Sequence, residues 1–277
     1  MHIVCCIKQV PDTAQVKIDP ETNTLIRSGV ESICNPYDLV AVETAVQLTE
    51  KHGGKVTVIT MGPPQAEAAL RDCLALGASE AILLSDRAFA GADTLATGFT
   101  LSQTINKIAA AEPVDLVICG KQAIDGDTGQ TGPGLATRLG YSQFTYVSEI
   151  IKVDLKNRTI RVRREVEGGR EIIEGKLPAL LTAELDLATP RYATLPELVR
   201  ALRHPIKTWG AKDITDTPEK LGLKGSPTSV KEIFTPGARA GGLVFDTAAA
   251  DGRTTADFIN TLFEKESVLL DGLLDQG

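Results

Sequence analysis

Four short apolar runs alternate with amphipathic stretches in the first half of the chain. The runs are HIVCCIKQV, KVTVITMG, EAILLSD and VDLVICG, and Val, Ile and Leu follow one another in them with little polar alternation. Parallel strands that are buried on both faces have this composition. Between the runs, residues 37–52, 64–76 and 93–111 carry apolar positions at helical spacing. This βαβα order predicts an α/β fold with a doubly wound, mostly parallel sheet.

Beyond the fourth run the pattern changes to that of an antiparallel extension. Residues 148–185 are interpreted as antiparallel strands, because a Lys-Asn pair at 156–157 and a Gly-Gly pair at 168–169 are turn signals. Residues 159–166 alternate charged and aliphatic side chains, which indicates one solvated face. The last run, PALLTAEL, is apolar enough to return to the core.

From residue 186 the chain is rich in proline and glycine, and little of it has the pattern of a strand. Two short helices are predicted, at 195–203 and at 254–264. A segment of this length with so little regular structure cannot easily build its own core. It either lies on the first domain or wraps a partner, and the amphipathic second helix favours the partner. The sequence therefore predicts a domain at 1–185 and an extended C-terminal arm at 186–277.

Composition and charge remove several classes of function. The chain has 277 residues, and 29 basic against 36 acidic residues give a formal net charge of -7. This balance argues against binding to nucleic acid, which needs a basic face. Aromatic residues make up only 4% of the chain, so platforms for stacking bases are scarce. We expect no membrane insertion, because no apolar run reaches about 20 residues, and the first residues turn polar too soon for a secretory signal.

The cysteines and histidines indicate neither a catalytic nor a metal site. Five cysteines are scattered without a CxxC pair, and three histidines are far apart. Such a set of cysteines is typical of a reducing cytoplasm, where thiols serve as small buried side chains. No nucleophile or acid–base pair stands out, so any chemistry would belong to a bound cofactor. We therefore predict a cytoplasmic protein without a metal site or catalytic side chain.

The stretch GKQAIDGDTGQTGPG, residues 120–134, follows the fourth run and is the strongest candidate for a binding site. In an open parallel sheet, ligands bind beyond the carboxyl ends of strands, where the strand order reverses. Glycines let backbone N–H groups approach a ligand, and residues 128–131 lie where a helix begins, a place that attracts phosphate. Asp125 or Asp127 would cap that helix or accept from a ribose hydroxyl. The alternative is a tight connection without a ligand, and composition favours the nucleotide only slightly.

Three further segments follow strands or open helices and would converge on the same edge. They are residues 6–10, CNPYD at 34–38 and MGPPQ at 61–65. Asn35 also fits a cap for the next helix. Asp93 fits either a helix cap or an acceptor for a ligand hydroxyl. The cap is the simpler interpretation for both residues.

Three longer stretches together match the pattern of a known family. They are VRREVEGGREIIEGKLPALLT at 162–182, TPRYATLPELVRA at 189–201 and GKQAIDGDTGQTGP at 120–133, with support from CIKQVPD and NPYD. In these residues the chain resembles the β subunit of electron-transfer flavoproteins, over at least residues 1–205. The resemblance implies a doubly wound nucleotide-binding domain that pairs with an α subunit holding one FAD. The segment 186–277 would then contain a partner-recognition loop and an arm that packs on the α subunit.

The resemblance also implies a nucleotide in the β subunit. Simpler members of the family bind structural AMP there, whereas electron-bifurcating members hold a second FAD, which takes hydride from NADH and sends the two electrons to different acceptors. The contacts carried over by motif are Cys6, Asn35, Pro36, Tyr37, Asp38, Met61, Gly120, Lys121, Gln122, Ala123, Ile124, Asp125, Gly126, Asp127, Thr128, Gly129, Gln130 and Thr131. Asp93, Thr94 and Thr97, at one helix start, are further candidates for hydrogen bonds to a flavin or its chain.

Two stretches are similar to the bifurcating type. They are DGDTGQTGP and SDRAFAGADTLATGFTL at 85–101, although Gly98 stands where a serine is expected. Simpler members carry a third aspartate at position 126 and a bulkier residue at position 128. A small Gly126 would leave room for a pyrophosphate beyond an AMP. We therefore expect FAD as the cofactor, with AMP as the alternative, and NADH as the electron donor.

The resemblance further implies two kinds of electron acceptor. The recognition loop would be 186–196, with Leu195 as the side chain that docks on an acyl-CoA dehydrogenase. Its recognition residues are Pro190, Arg191, Tyr192, Ala193, Thr194, Leu195 and Pro196. The low-potential acceptor would be a ferredoxin or a flavodoxin.

Two other classes of function are weighed against this one. A stand-alone enzyme that cleaves the α-phosphate of ATP would need an SGGxDS-like loop after the first strand, where this chain has CIKQVPD. A pure interaction protein with an empty pocket would be purified without a nucleotide.

Overall fold

The computed structural model describes residues 1–12, 17–18, 25–26, 31–229, 231 and 255–265. The strands are β1 His2–Cys6, β2 Gln9–Pro11, β3 Lys17–Ile18, β4 Leu25–Ile26, β5 Ser32–Cys34, β6 Lys55–Met61, β7 Glu80–Leu84, β8 Leu116–Gly120, β9 Ser142–Asp154, β10 Thr159–Val166, β11 Gly169–Lys176, β12 Ala179–Ala183 and β13 Lys207–Trp209. The helices are α1 Pro36–His52, α2 Glu67–Leu76, α3 Thr94–Ala111, α4 Thr131–Leu139, α5 Leu195–Arg203, α6 Ala211–Ile214 and α7 Thr255–Lys265. The chain forms two compact units, 1–233 and 234–277.

Within the described residues, the main sheet has nine strands in the order β11-β10-β9-β12-β8-β1-β6-β7-β13. From β9 to β13 along this order all neighbours pair in parallel. The β9–β10 and β10–β11 pairs are antiparallel. The predicted mostly parallel α/β fold with an antiparallel extension is confirmed.

Helices cover both faces of the parallel strands, which explains their apolar composition. All five residues of β1 are buried. Its Ile3 and Cys5 belong to the core under α1 and α2, whereas Val4 and Cys6 belong to the core under α3 and α4. A strand that is buried on both faces is apolar along most of its length, rather than alternating apolar and polar residues.

The strand order reverses between β1 and β8. The chain runs from β1 outward to β6 and β7, and then returns to place β8 on the other side of β1. The carboxyl ends of these two strands therefore flank the point at which α/β sheets bind ligands. We call the crevice between the residues that follow β1 and those that follow β8 the switch point.

Two details of the sheet differ from the sequence prediction. The first apolar run is not one strand, because β1 ends at Cys6 and β2 pairs antiparallel with β5 instead. The interpretation of PALLTAEL as one of the antiparallel strands is wrong, because β12 pairs in parallel with both β8 and β9. All five residues of β12 are buried, and such a strand is stabilised between two others rather than at an edge.

The segment after residue 186 contributes to the first unit. Strand β13 pairs in parallel with β7 and extends the main sheet, and Trp209 packs against the core under α3. The structure divides the chain after residue 233, because β13 and the residues up to 229 gain their buried contacts on the α/β sheet. The predicted helix at 195–203 is confirmed as α5, and the helix predicted at 254–264 is α7 at 255–265. The rest of the predicted arm lies outside the described residues.

Within the part of the chain described here, no helix combines the length and the apolarity that crossing a membrane requires.

Candidate functional site

The loop at 120–131 forms a turn over the switch point. The carbonyl oxygen of Ala123 accepts from the N–H groups of Gly126 and Asp127 at 3.2 and 2.9 Å. Asp127 and Gly129 have φ angles of 48° and 60°, a left-handed conformation that glycine and aspartate tolerate better than most residues. Residues 125–128 are exposed. Backbone and side-chain groups of this loop are therefore accessible at the strand ends.

Helix α4 begins in this loop without a side-chain cap. Gln130, at its N-cap, makes no capping hydrogen bond. Asp125 and Asp127 do not supply one either, because Asp125 accepts from Lys8 and Asp127 accepts from Gln122. Of the two roles predicted for these aspartates, the helix cap is therefore wrong, and acceptance from a ribose hydroxyl stays a prediction. The first N–H groups of α4 are left free of a side-chain acceptor, as a phosphate site at a helix N-terminus requires.

A lysine after β1 fastens the loop from the other side of the switch point. Lys8 Nζ donates to both carboxylate oxygens of Asp125 at 2.7 Å. The pair is partly exposed, so it contributes little to stability. Its effect is geometric, because it joins the residues that follow β1 to the middle of the loop.

The NPYD segment lies beneath the loop rather than open to solvent. Asn35 and Asp38 are buried. Asn35 Nδ2 donates to the carbonyl oxygen of Gln122 at 2.9 Å, and its Oδ1 accepts from Ile124 N–H at 3.2 Å. Asp38 accepts backbone N–H groups from Lys8 and Gly120, each at 2.8 Å. Asn35 stands at the N-cap position of α1 but makes no side-chain capping hydrogen bond. The cap interpretation of Asn35 is therefore wrong, because its side chain binds the loop instead. The neighbouring Pro36 and Tyr37 are half-buried.

The start of α3 reaches the same loop. Thr94 Oγ1 donates to Gln130 Oε1 at 3.2 Å. Asp93 caps α3, because its Oδ1 accepts from the N–H groups of Leu95 and Ala96 at 3.0 Å. Its Oδ2 accepts from Thr228. Both oxygens of Asp93 therefore already have donors, which agrees with the cap interpretation, and the hydroxyl of Thr94 is the group that faces the loop.

The remaining predicted contacts lie at strand ends. Cys6 ends β1 and is buried, and burial raises the pKa of its thiol well above the usual range. Met61 ends β6 and is half-buried, as is Thr97 in the first turn of α3. Cys6 is thus a neutral packing residue beneath the switch point.

Gly98, which stands where the bifurcating type is expected to carry a serine, lies on the side of α3 that packs on α4. A Cβ atom at this position would lie 3.7 Å from Arg138 Nε, an ordinary contact. A serine would therefore fit without strain, and its hydroxyl would begin beside Arg138. The glycine removes no group from the contact between Thr94 and Gln130.

The predicted recognition loop is fastened to α1 by Arg191. Its guanidinium donates to both oxygens of Glu43, at 2.9 Å from Nε to Oε2 and 2.9 Å from Nη2 to Oε1. It also donates to Glu50 at 2.7 Å. Glu43 is only 2% exposed. Arg191 therefore anchors the loop to α1, and its part in partner recognition stays a prediction.

The residues after Arg191 present an apolar surface. Tyr192 is 99% exposed and Leu195 is 73% exposed. Thr194 and Glu197 form a capping box that starts α5 at Leu195. Leu198 and Leu202 are exposed on the same helix, at the i+3 and i+7 spacing that places them on the face of Leu195. Exposed apolar faces of this kind are typical of protein docking sites. Pro190 and Ala193 are half-buried, and Pro196 is exposed.

Helix α1 touches both candidate surfaces. Its first turn holds the switch-point loops through Asp38, and Asn35 precedes it. Glu43 and Glu50, further along the helix, hold Arg191. The nucleotide candidate and the docking candidate thus share one rigid element.

The sequence patterns missed three residues that shape these surfaces. Lys8 lies in a segment that the sequence singled out, but its pairing with Asp125 had no local signal. Glu43 lies on a helix where a surface glutamate is the ordinary expectation. Tyr146 has a φ of 56° within β9 and its ring lies 5.2 Å from Lys121 Nζ. No sequence pattern indicates such a backbone conformation.

No group of three or more His, Cys, Asp or Glu side chains is placed to hold a metal ion within the described ranges.

Comparisons with known proteins agree with this fold. The model of the electron transfer flavoprotein domain matches residues 22–214. The chain is 54% identical to the protein FixA of Azotobacter vinelandii over 242 residues, which are 87% of this chain and 86% of the relative. It is 50% identical to the electron transfer flavoprotein subunit beta of Clostridium acetobutylicum over 246 residues, 89% of this chain and 92% of the relative. The electron transfer flavoprotein subunit beta of Thermoanaerobacterium thermosaccharolyticum is 51% identical over 246 residues, which are 88% of this chain and 92% of the relative.

Proposed function

The chain belongs to the electron transfer flavoprotein family, and we propose that it is the β subunit of a heterodimer with an electron transfer flavoprotein α subunit. We infer that it binds FAD at the switch point, receives electrons from NADH and divides them between two acceptors. One acceptor is an acyl-CoA dehydrogenase, reached through the FAD of the α subunit, and the other is a ferredoxin or a flavodoxin. We also propose a cytoplasmic location, where the buried free thiols would stay reduced.

The observation that carries the FAD proposal is the open space at Gly126. A Cβ atom built there meets no atom within 4 Å, and its φ lies outside the region that favours glycine. Neither packing nor backbone conformation of this chain therefore requires a glycine at 126. Close approach of a ligand does supply a reason, since a side chain would fill the space that a pyrophosphate needs.

The groups around this space suit a dinucleotide. The exposed loop at 125–128 and the uncapped start of α4 offer N–H donors for phosphates. The Thr94 hydroxyl, which donates to Gln130, can accept from a ribose hydroxyl. FAD, when bound, would supply the redox chemistry. In this proposal the residues of this chain bind and orient the flavin.

The proposal is tested by steady-state oxidation of NADH by the purified heterodimer. We expect oxidation to require both the dehydrogenase with its acyl-CoA substrate and the low-potential acceptor, because the two electrons leave by separate routes. Full rates without the low-potential acceptor would contradict bifurcation and favour a simple carrier with structural AMP.

Leu195→Ala should weaken docking of the dehydrogenase without changing the bound nucleotide. Leu195 is 73% exposed at the start of α5, and the loss of a central apolar anchor costs about 1–3 kcal/mol in an interface. We expect a higher KM for the dehydrogenase at an unchanged nucleotide content. The matched control is Leu223→Ala, which removes a leucine that is 59% exposed elsewhere. Equal KM values for the two variants would show that Leu195 does not dock.

A further inference from the structure

Asp38 joins the two strand ends that flank the switch point. Its Oδ2 accepts from the N–H of Lys8, which follows β1, and its Oδ1 accepts from the N–H of Gly120, which ends β8. Both distances are 2.8 Å. One carboxylate therefore spans the crevice from below, with one oxygen committed to each side.

The chain accommodates this contact closely. A Cβ atom at Gly120 would lie 2.5 Å from Asp38 Oδ1 and 2.5 Å from Tyr37 Cβ. Glycine is the residue that lets β8 end so near to α1. Asn35, three residues earlier, continues the contact by binding Gln122 and Ile124. The start of α1 thus sets the path of the whole loop.

The charge of Asp38 is not balanced by an ion pair among the described residues. Its carboxylate is 5% exposed, and the nearby Lys8 Nζ donates to Asp125 instead. Burying a carboxylate without a paired cation is costly. The two N–H groups offset this cost, helped by the Asn35 side chain and the nearby charge of Lys8. A neutral carboxamide could not replace it, because an amide has one acceptor atom and would turn its NH₂ toward an N–H donor.

We propose that Asp38 is a positioning residue, whose negative charge holds the ends of β1 and β8 at the spacing that the nucleotide requires. This inference rests on the proposed nucleotide site at the switch point, and it concerns this chain's own carboxylate rather than a contact with the ligand. Loss of the charge frees one of the two N–H groups, loosens the loop and lowers nucleotide affinity.

The protonation of Asp38 gives this role a signature. Burial raises the pKa of Asp38 to about 7, although the hydrogen bonds from the N–H groups of Gly120 and Lys8 act in the opposite direction. The other titratable groups that face it are Lys8 and the thiols of Cys5, Cys6, Cys34 and Cys119.

These thiols do not titrate in the same range. Burial raises the pKa of Cys5, Cys6 and Cys119, while a hydrogen bond to Cys73 together with burial raises that of Cys34. They stay neutral between about pH 6 and pH 8, where Asp38 exchanges its proton. Affinity for the nucleotide should therefore fall as pH decreases through this window.

The test compares wild type with Asp38→Asn in the heterodimer after its nucleotides are removed and added back. FAD and AMP are titrated separately at about pH 8 and pH 6. For the nucleotide that binds, we expect Asp38→Asn to lower affinity at the higher pH roughly tenfold to hundredfold, the range for losing a hydrogen bond to a charged group. The difference in affinity between wild type and Asp38→Asn should become small at the lower pH, because Asp38 of the wild type is then mostly neutral as well. The titration of AMP itself affects both proteins equally, so it cancels in the ratio of the wild-type affinity to the Asp38→Asn affinity at each pH.

Two more variants separate positioning from general instability. Asp72→Asn removes another carboxylate whose pKa burial raises, outside the switch point, and should change neither the affinity nor its pH dependence. Gly120→Ala forces β8 away from Asp38 without a change of charge. It should weaken nucleotide binding, and the affinity of this variant should depend less on pH than that of wild type.

The outcomes decide the inference in each case. Equal affinities for wild type and Asp38→Asn at the higher pH would overturn it. If Asp38→Asn does not fold, wild type alone decides, because an affinity that stays constant or rises toward the lower pH would contradict the role. Binding of AMP but not FAD, with the expected loss in Asp38→Asn, would support Asp38 while rejecting the flavin part of the proposed function.

Discussion

Replacing Arg191 by glutamine should lower the free energy of unfolding by about 3 kcal/mol, the lower end of the range for breaking a buried ion pair. Glu43 is buried, and Arg191 is its cationic partner at 2.9 Å. Without the guanidinium, Glu43 keeps a neutral donor in Gln47 at 2.8 Å. The lower end is appropriate because the Arg191 side chain is 32% exposed, so water would enter.

The same change should release the recognition loop from α1. Arg191 is the residue that ties the loop to Glu43 and Glu50, and Leu195 follows it closely. We therefore expect weaker docking of the dehydrogenase together with lower stability. Denaturant unfolding measures the loss of stability, and the KM for the dehydrogenase measures the weaker docking.

Glu50→Gln is the matched control, because it removes the exposed partner of the same arginine. The Glu50 side chain is 56% exposed, and exposed ion pairs contribute about 0–1 kcal/mol. A loss in Glu50→Gln as large as that in Arg191→Gln would contradict the assignment of the buried pair as the anchor.

The pH dependence of the Arg191 effect has a definite sign. Burial alone would raise the pKa of Glu43, but hydrogen bonds from Arg191 and Gln47 outweigh it and hold the pKa below the usual 4.5. A carboxylate with a lowered pKa stabilises the fold fully above its unfolded pKa and loses that contribution as pH falls through the folded value. The difference between wild type and Arg191→Gln should therefore shrink in acid.

Gly126→Asp should reduce bound FAD about 100-fold while leaving the fold unchanged. The added side chain enters open space, so it costs the protein itself little. A carboxylate about 5 Å from a phosphate charge is repelled by about 3 kcal/mol at an effective dielectric constant near 20, which corresponds to about a hundredfold in affinity. The flavin absorbance of the purified heterodimer measures the loss.

Gly169→Asp is the control for Gly126→Asp. Gly169 likewise has no atom within 4 Å of a built Cβ and no left-handed φ, but it lies at the start of β11, on the far antiparallel edge of the sheet. This control should keep its flavin. Equal flavin loss in both variants would show that added charge, rather than its place at the loop, causes the effect.

The sequence predicted the elements that depend on local pattern. The buried strands β1, β6, β7 and β8 are predominantly apolar, and helix α5 has a proline and a capping box at its start. The position of the loop at 120–131 followed from the same logic, because a loop after a parallel strand must lie at the carboxyl edge.

The parts that the sequence did not predict depend on contacts between distant residues. The motif marked Asp38 as a contact to the ligand. Only the folded chain shows that its carboxylate accepts hydrogen bonds from the N–H groups of Lys8 and Gly120. The motif marked Arg191 as a recognition residue, and nothing local indicated its hydrogen bonds to Glu43, which lies 148 residues earlier in the chain. The parallel placement of β12 had no local signal either, because a strand's composition reports its burial and not the direction of its neighbours.

The central claim is that the switch point of this chain holds FAD. Its most direct test is to purify the heterodimer, denature it and identify the released nucleotides by chromatography and mass. We expect two FAD molecules for each heterodimer and no AMP, because one flavin belongs to the α subunit and the other to the loop at 120–131. One FAD with one AMP would contradict the claim.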